Sequence, residues 1–275
     1  MKGKVCVVTG ANRGLGKATA AMLAQLGATV ILACRDQHRG EAAKADILSA
    51  TRNSNVELML VDLSTQESIR QMARDFAARH ERLDALMNIA AVYKARRVLT
   101  PDGLEMMFAT NHLGPFLLTH LLLDQLKRSA PSRIVVVTAP STTPLHFDDL
   151  QGEKQFRSLW AFGQSKMANL LFTYELARRL EGTGVTVNAV HPGLMKTNLM
   201  REALLPLRLF SQIGAQPPEK AAAALVYLAS SPDVAGVTGK FFKGETVIES
   251  NPYSHDQSVQ SRLWDISLAL TGHSE

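Results

Sequence analysis

Short apolar runs alternate with segments of helical periodicity from the first residues of the chain. The runs are continuous, as in strands buried on both faces of a parallel sheet, and they are Val5–Thr9, Thr29–Cys34, Val56–Asp62, Leu83–Ile89, Ser132–Val137 and Thr186–His191. The helical patterns between them are Gly16–Leu26, Arg39–Ser49, Ser64–Arg79, Leu104–Ser129, Phe162–Glu181 and Glu219–Ser230. This order predicts an α/β fold, a Rossmann-type doubly wound parallel sheet with helices on both faces.

A late apolar run, Lys240–Phe242, is expected to complete a sheet of about seven strands. Because the sequence contains no Pro/Ser-rich linker, repeat or low-complexity tract, we expect residues 1–275 to form one domain. The two longest irregular stretches, Ala139–Trp160 and Met195–Pro218, each follow a strand. Both are therefore predicted at the carboxyl edge of the sheet, where ligands bind in open α/β folds.

Composition and charge narrow the class of protein. A chain of 275 residues that is 46% hydrophobic can bury a sizeable core. No stretch resembles a signal peptide or approaches the roughly 20 apolar residues of a membrane span, so we expect a cytoplasmic protein. The formal charge is +5, yet the basic residues are scattered and not interleaved with aromatic residues. Nucleic acid is not indicated, and a few cations around a phosphate-rich ligand are expected instead.

Cysteine and histidine give no sign of a metal site. Cys6 and Cys34 lie in predicted strands, where a cysteine usually serves as a small buried apolar residue. They could be neighbours in the sheet, but a disulfide is not expected in a cytosolic chain. No Cys/His spacing is typical of metal ligands.

A glycine-rich loop follows the first predicted strand and leads into a helix. Its pattern is Gly-x-x-x-Gly-x-Gly, and its residues are Gly10, Ala11, Asn12, Arg13, Gly14, Leu15 and Gly16. Glycines at such a turn let the backbone approach a pyrophosphate, whose charge lies at the helix N-terminus. In register after a strand, and with Asp62 closing the third strand, the loop predicts a dinucleotide site. A glycine-rich turn without a ligand is the alternative.

The end of the second strand indicates which dinucleotide is bound. NAD-preferring proteins usually place an acidic residue there, which binds the ribose hydroxyls. Arg35 occupies this position, and Arg13 lies in the glycine loop. Two guanidinium groups suit the 2′-phosphate of NADP, so NADP(H) is favoured over NAD(H). The alternatives are that both arginines are ordinary surface residues, or that Asp36 binds the ribose.

Several further motifs extend the pattern along nearly the whole chain. They are Thr9–Gly16, Asp62-Leu63, Asn111-His112-Leu113-Gly114, Asp149-Leu150-Gln151-Gly152, Lys166, His191-Pro192-Gly193 and Arg262-Leu263-Trp264-Asp265. With these motifs the chain resembles the short-chain dehydrogenase/reductase family, and within it the retinol-dehydrogenase-like branch.

The resemblance assigns roles around the cofactor. It implies that Asp62 meets the adenine, that Lys166 binds the nicotinamide ribose, and that the segment from Pro192 to Thr197 holds the nicotinamide end. The remaining cofactor positions are Leu63, Asn88, Ala90 and Gly193. It also implies that 199–214 forms a lid over the substrate, so a hydrophobic ligand is expected; a packed helix is the equal alternative for this segment. The helices Leu104–Ser129 and Phe162–Glu181 match those of the family's dimer interface, which implies a homodimer or higher homo-oligomer. For their Leu-rich faces, packing within one chain is the alternative.

The catalytic positions depart from the family. Its chemistry uses an Asn, a Ser, a Tyr and a Lys, and here Asn111 and Lys166 are in place. The Tyr position, four residues before the lysine, is Phe162, and the Ser position is Ala139. The usual Asn-Asn-Ala-Gly run after the fourth strand reads 88–91 Asn-Ile-Ala-Ala. Two hydroxyl groups are therefore absent from an otherwise intact cofactor site.

Other residues could take over the lost roles. Thr138 or Ser141 could replace the serine, and Tyr93 or His146 the tyrosine. Lys166 could bind ribose or act as the acid itself. The leading hypothesis is an NADP(H)-binding protein deficient in ordinary alcohol/carbonyl redox chemistry. The alternatives are an NADPH-dependent oxidoreductase with a non-standard proton donor, and an inactive partner subunit of an active relative.

Overall fold

The computed structural model describes residues 1–195, 199, 201–203 and 215–274. Within them lies an eight-stranded sheet of order β3-β2-β1-β4-β5-β6-β7-β8. The strands are β1 Val5–Thr9, β2 Thr29–Cys34, β3 Val56–Leu60, β4 Ala85–Asn88, β5 Ser132–Val137, β6 Val185–His191, β7 Phe241–Lys243 and β8 Thr246–Val247. All pairs are parallel except β7 with β8, which confirms the predicted Rossmann-type α/β architecture.

Helices cover both faces of the sheet. They are α1 Gly14–Gln25, α2 Gln37–Thr51, α3 Gln66–Arg79, α4 Met106–Phe108, α5 Gly114–Leu121, α6 Leu123–Arg128, α7 Ser158–Arg179, α8 Pro218–Ser230 and α9 Gln257–Thr271. A π-helical turn, Ala109–Leu113, joins α4 to α5. The predicted helix Leu104–Ser129 is thus three short helices and a wider turn, with a second break at Leu122.

Several features differ from the prediction. Helix α7 begins at Ser158, so the irregular stretch predicted as Ala139–Trp160 ends at Arg157. The two-residue strand β8 is too short to give a periodic signal, and it adds an eighth strand to the expected seven. In the parallel pairing of β1 with β2, Cys6 lies opposite Val30, which is four residues before Cys34. The two buried thiols are therefore not neighbours in the sheet.

The C-terminal helix α9 was not predicted, and it covers α7. Trp264 packs 5.2 Å from the Phe116 ring, and the Arg179 guanidinium lies 4.2 Å over the indole. Residues 164–177 of α7 are buried at every position within one chain. The predicted homodimer stays a prediction, but this part of α7 has no exposed face left for a second subunit.

Strand residues alternate between two cores. Val8, Leu32 and Met87 belong to the core that packs under α1 and α8. Val7 and Ile31 belong to the core on the opposite face. Because β1 to β7 are parallel, the carboxyl ends of these strands meet along one edge of the sheet, where the candidate site lies. Within the ranges that the structure describes, no helix is both long and apolar enough to cross a membrane.

Candidate active site

The glycine loop between β1 and α1 forms a cradle that side chains would fill. Gly10 has a φ of +69°, and a Cβ added there would lie 3.1 Å from the Ala90 Cα. A Cβ at Gly16 would overlap the Gly10 carbonyl oxygen, and Gly14 also has a positive φ. The loop requires glycine at all three positions for close backbone approach, which is the geometry that a pyrophosphate needs.

The N-terminus of α1 is available to an anion. Arg13 is the N-cap residue, none of the described side chains caps the helix there, and its first turn carries no acidic residue. Leu15 is buried under the turn, and Asn12 is half-buried in the loop. The first N–H groups and the helix dipole thus point at the cradle without a competing carboxylate.

Four arginines converge beside this cradle. Partial burial lowers the pKa of the Arg13 guanidinium from its ordinary value. Repulsion lowers the same pKa further, from Arg201, Arg39 and Arg35 in that order. Like charges gathered at a helix N-terminus form a site for a multiply charged anion. Sequence reasoning found Arg13 and Arg35 here but treated Arg39 as scattered and missed Arg201, because only the fold brings these segments together.

Asp36 caps α2, as the hydrogen bonds of its carboxylate show. Its Oδ1 accepts from the Arg39 backbone N–H at 2.9 Å, and its Oδ2 lies 3.6 Å from the Arg39 Nε. Asp62 is held by Ser64, whose N–H and Oγ donate to its Oδ1 at 2.9 and 2.6 Å. The second Asp62 oxygen lies 3.5 Å from the Arg35 Nη1, which is largely exposed, so this ion pair is weak.

The end of β4 is tied to the glycine loop by one hydroxyl. The Thr9 Oγ1 accepts from the N–H of Ile89 at 2.8 Å and of Ala90 at 3.1 Å, which places Ala90 under Gly10. Asn88 is buried, and its amide donates to the Thr119 Oγ1 at 3.0 Å. The Asn88 Oδ1 has no hydrogen-bond partner among the described residues. A buried acceptor of this kind usually meets a ligand or water.

The nicotinamide end of the predicted site is described in part. Pro192 follows β6 and accepts a hydrogen bond from the Gln216 amide at 2.7 Å, and Gly193 has a φ of +77°. Leu63, after β3, is buried with its carbonyl against Gly114. Thr197 and most of the lid predicted at 199–214, including Leu204–Phe210, lie outside the described residues.

Asn111 lies in the π-helical turn and bridges two segments. Its Oδ1 accepts from the Val92 N–H at 2.8 Å, while its Nδ2 donates to the Val92 carbonyl and to the Ser165 Oγ, both at 3.0 Å. The side chain therefore fixes the loop after β4 against α7. Such wide turns within α-helices are frequent at functional sites.

Lys166 and Phe162 face the same side of α7, one turn apart. The Lys166 Nζ lies 5.5 Å from the centre of the Phe162 ring. Lys166 is buried, and none of the described carboxylates forms an ion pair with it. Desolvation lowers the pKa of its ammonium to about 8. The amine thus stays mostly protonated at neutral pH but loses its proton more readily than an ordinary lysine, beside a ring that has no proton to exchange.

Ala139 lies between two hydroxyls that are bonded to α7. The buried Thr138 Oγ1 donates to the Lys166 carbonyl at 2.7 Å, and the Ser141 Oγ donates to the Gly163 carbonyl at 2.8 Å. These bonds hold the loop after β5 against the turn that carries Phe162. Both hydroxyl protons are used in holding the backbone, so neither Thr138 nor Ser141 offers one to a substrate in this arrangement.

Tyr93 and His146 flank the first turns of α7. The Tyr93 ring meets the Phe162 ring edge-on at 5.8 Å, and its hydroxyl donates to the Ser158 Oγ at 2.9 Å. The His146 ring lies 4.9 Å from that of Trp160. Of these two described residues, Tyr93 is the one whose ring contacts Phe162. Within the described ranges, no three His, Cys, Asp or Glu side chains cluster as metal ligands.

The structure thus brings together the positions that the sequence assigned to one site. Its cofactor half offers a glycine cradle, an uncapped helix N-terminus and clustered arginines, all of which fit a dinucleotide phosphate. The unpaired Asn88 Oδ1 is an acceptor and suits a donor group of a ligand or a water instead. Its other half gathers Asn111, Ala139, Phe162 and Lys166, with an apolar surface where two hydroxyls were expected.

Comparison with known proteins agrees with this geometry. The family model for short chain dehydrogenase matches residues 4–205. Retinol dehydrogenase 14 of Homo sapiens is 44% identical over 293 residues, covering 99% of this chain and 87% of the relative. Retinol dehydrogenase 13 of Homo sapiens is 44% identical over 281 residues, covering 98% of this chain and 85% of the relative.

Solved structures share the fold. An uncharacterized protein from Mycobacterium Paratuberculosis superposes with a TM-score of 0.80 at 33% identity, covering 99% of this chain and 95% of its own. The RhlG/NADP active-site complex of Pseudomonas aeruginosa has a TM-score of 0.73 at 24% identity, covering 92% and 97%. The chain belongs to the short-chain dehydrogenase family, in its retinol-dehydrogenase-like branch.

Proposed function

We propose that the chain is an NADP(H)-binding member of this family that is deficient in ordinary alcohol/carbonyl redox chemistry. One observation carries the proposal: the buried Lys166 ammonium faces the Phe162 ring at 5.5 Å, where a proton donor is needed. Bound cofactor would supply a hydride. A carbonyl that accepts a hydride becomes an alkoxide, which must be protonated, and neither Phe162 nor Ala139 has a proton to give.

The expected loss of rate is large. A positioned acid or base contributes about 10²–10⁴ in rate, and one donor to a developing oxyanion roughly 10²–10³. The two effects belong to one unit and do not simply multiply. Even the smaller of the two would leave carbonyl reduction far below that of a member with both hydroxyls.

The preference for NADP(H) over NAD(H) rests on charge. Arg13, Arg35 and Arg39 gather where the ribose of a dinucleotide in the glycine cradle would lie, and a 2′-phosphate would relieve their repulsion. Asp36 caps α2 with the carboxylate that would otherwise bind ribose hydroxyls. Asp62 and Leu63 at the adenine, and Lys166 at the nicotinamide ribose, complete the proposed binding set.

A second candidate function is an active NADPH-dependent oxidoreductase. The identity of 44% to proteins named retinol dehydrogenase favours it. Reduction of an activated double bond needs little acid help, because solvent can protonate the product carbon. Leu159 and Leu194, on segments next to Phe162 and Gly193, are more than half exposed and suit a hydrophobic substrate.

A homodimer, or pairing with an active relative, stays part of the proposal. Because residues 164–177 of α7 are buried in one chain, such an assembly would use another surface. Light scattering of the full chain gives its mass directly. The cytoplasmic location expected from the sequence also remains a prediction.

Cofactor titration tests the proposal. Nicotinamide fluorescence on titration with NADPH and NADH should show tighter binding of NADPH. Arg35→Ala should weaken NADPH binding about tenfold or more while NADH binding is unchanged, since one charged hydrogen bond is worth roughly 1.5–3 kcal/mol. Arg79→Ala, at an exposed arginine of α3, is the matched control. Absence of binding at millimolar NADPH would end both candidate functions.

An activity screen separates the two candidates. NADPH consumption is followed with aldehydes, ketones and enones at saturating cofactor. No turnover with any class supports the deficient binding protein, whereas turnover of an enone or a carbonyl compound supports the oxidoreductase.

A further inference from the structure

Helix α9 reaches the candidate site through a buried hydrogen bond. His112 follows Asn111 in the π-helical turn and is fully buried. Its Nε2 lies 2.9 Å from the Oγ of Ser267, a fully buried residue of α9. This bond joins residues that are 155 positions apart. The C-terminal helix thus contacts the turn that presents Asn111.

The direction of this bond follows from the partners of Ser267. The Ser267 Oγ donates its only proton to the Leu263 carbonyl at 2.7 Å. With that proton on the Leu263 carbonyl, the Ser267 Oγ is assigned as the acceptor from His112, which makes His112 the neutral tautomer that carries its proton on Nε2. Burial lowers the pKa of His112 to about 3, opposed in part by Asn169. The imidazole therefore stays neutral throughout the physiological range.

Aromatic packing leaves the His112 ring little freedom. The rings of Phe108, Phe116 and Phe172 lie 5.2, 6.1 and 6.1 Å from it. With the ring enclosed, the bond to Ser267 decides the orientation of its polar edge. Loss of that bond leaves a buried N–H unpaired, which destabilises the ring's present orientation.

The π-helical turn makes Asn111 sensitive to this orientation. Such a turn holds one residue more than the α-helix around it, and relaxation to α-helical register rotates side chains by about 100° per residue. A rotation of that size would break the bonds that Asn111 makes to Val92 and to Ser165. The contact that fixes His112 therefore also fixes Asn111.

We propose that α9 is a positioning element of the active site, in which the Ser267–His112 hydrogen bond holds the π-helical turn that presents Asn111. The proposal rests on the proposed function, in which Lys166 binds the nicotinamide ribose, because Asn111 bonds to Ser165, the residue before Lys166. Ser267 and His112 are positioning residues, since they act on a ligand only through Asn111.

Hydrogen exchange of the full chain without nucleotide tests the positioning. Ser267→Ala should raise the exchange rate of the Val92 amide, which is bonded to Asn111, and of residues 109–113 by about tenfold or more, as expected for a local loss above roughly 1.4 kcal/mol. Thr271→Val is the matched control, because the buried Thr271 hydroxyl donates to the Ser267 and Leu268 carbonyls within α9 and, among the described residues, contacts no part of the π-helical turn. Unchanged exchange in Ser267→Ala, or equal acceleration in both variants, would overturn the proposal.

Comparing the binding of NADPH with that of 2′,5′-ADP tests the role of α9 separately from the proposed binding of NADP(H). Ser267→Ala should weaken NADPH binding and leave the binding of 2′,5′-ADP, which lacks the nicotinamide half, unchanged. Equal weakening of both ligands would overturn the link between α9 and the nicotinamide end. If the unaltered chain binds neither ligand, the proposed function fails, and the exchange experiment still decides whether Ser267 positions the turn.

Discussion

The Lys166 ammonium nitrogen lies 5.5 Å from the centre of the Phe162 ring, one turn earlier on the same helix. A cation over an aromatic face gains about 0.5–2 kcal/mol but transfers no proton to it. Desolvation of the buried amine lowers its pKa, and none of the described residues forms an ion pair with it. The same geometry that would let a lysine tune a phenol here lets it contact only a hydrocarbon ring.

Restoring the two hydroxyls should restore carbonyl chemistry. In Phe162→Tyr with Ala139→Ser, NADPH consumption with an aldehyde should rise at least about 10²-fold, because a positioned acid and a carbonyl donor are regained together. Steady-state assays at saturating NADPH measure this. Phe162→Leu, which brings no hydroxyl, is the control and should gain nothing. A double variant as inactive as that control would show that the defect lies elsewhere.

Lys166 should make stability depend on pH. Its folded pKa is about 8, below the value of about 10.4 for an unfolded lysine. Between these values the unfolded chain binds more protons, so the free energy of unfolding should rise with pH across this window. Lys166→Met should remove that rise and stabilise the chain by about 3 kcal/mol at pH 7.

Urea unfolding at pH 7–10 without nucleotide measures this difference. Lys220→Met, at an exposed lysine of α8, is the matched control and should keep the pH dependence. If Lys166→Met and the unaltered chain show the same slope, the Lys166 amine is not desolvated in the folded protein.

Substitutions of Asp36 test whether its carboxylate caps α2 or binds the ribose of the cofactor. Because its carboxylate caps α2, Asp36→Ala should lower the free energy of unfolding by about 0.5–2 kcal/mol while NADH affinity stays the same. Asp36→Ser retains a capping oxygen and should keep most of the stability. Denaturant midpoints and NADH titration are measured on both variants. Loss of NADH binding without loss of stability would identify Asp36 as a ribose ligand instead.

The sequence predicted those parts of the molecule whose structure depends on residues within one short segment. Strands such as Ser132–Val137 were found to the residue because buried parallel strands are continuous apolar runs, and the glycine loop was found because its spacing reflects its own backbone. The π-helical turn was not predictable, since it depends on Asn111 bonding to Val92 in another segment. The approach of Arg201 to Arg13 likewise exists only once two distant loops meet. Helix α9 was missed because its few apolar residues lie among serines and charged residues, and they are buried only by packing on α7.

Trp264 should report how much α9 contributes to stability. The side chain is 3% exposed and lies against Phe116, Phe172 and the Arg179 guanidinium. Trp264→Ala should therefore cost about 3–5 kcal/mol of unfolding free energy, as expected for a large cavity. Trp264→Phe keeps a ring between the same neighbours and should lose considerably less. Urea unfolding followed by far-UV circular dichroism measures both.

A loss below about 1 kcal/mol for the alanine variant, typical of a surface site, would mean that α9 does not pack on α7 in solution. In that case the apolar face of α7 would be open to a second subunit, and light scattering of the unaltered chain should give the mass of a dimer.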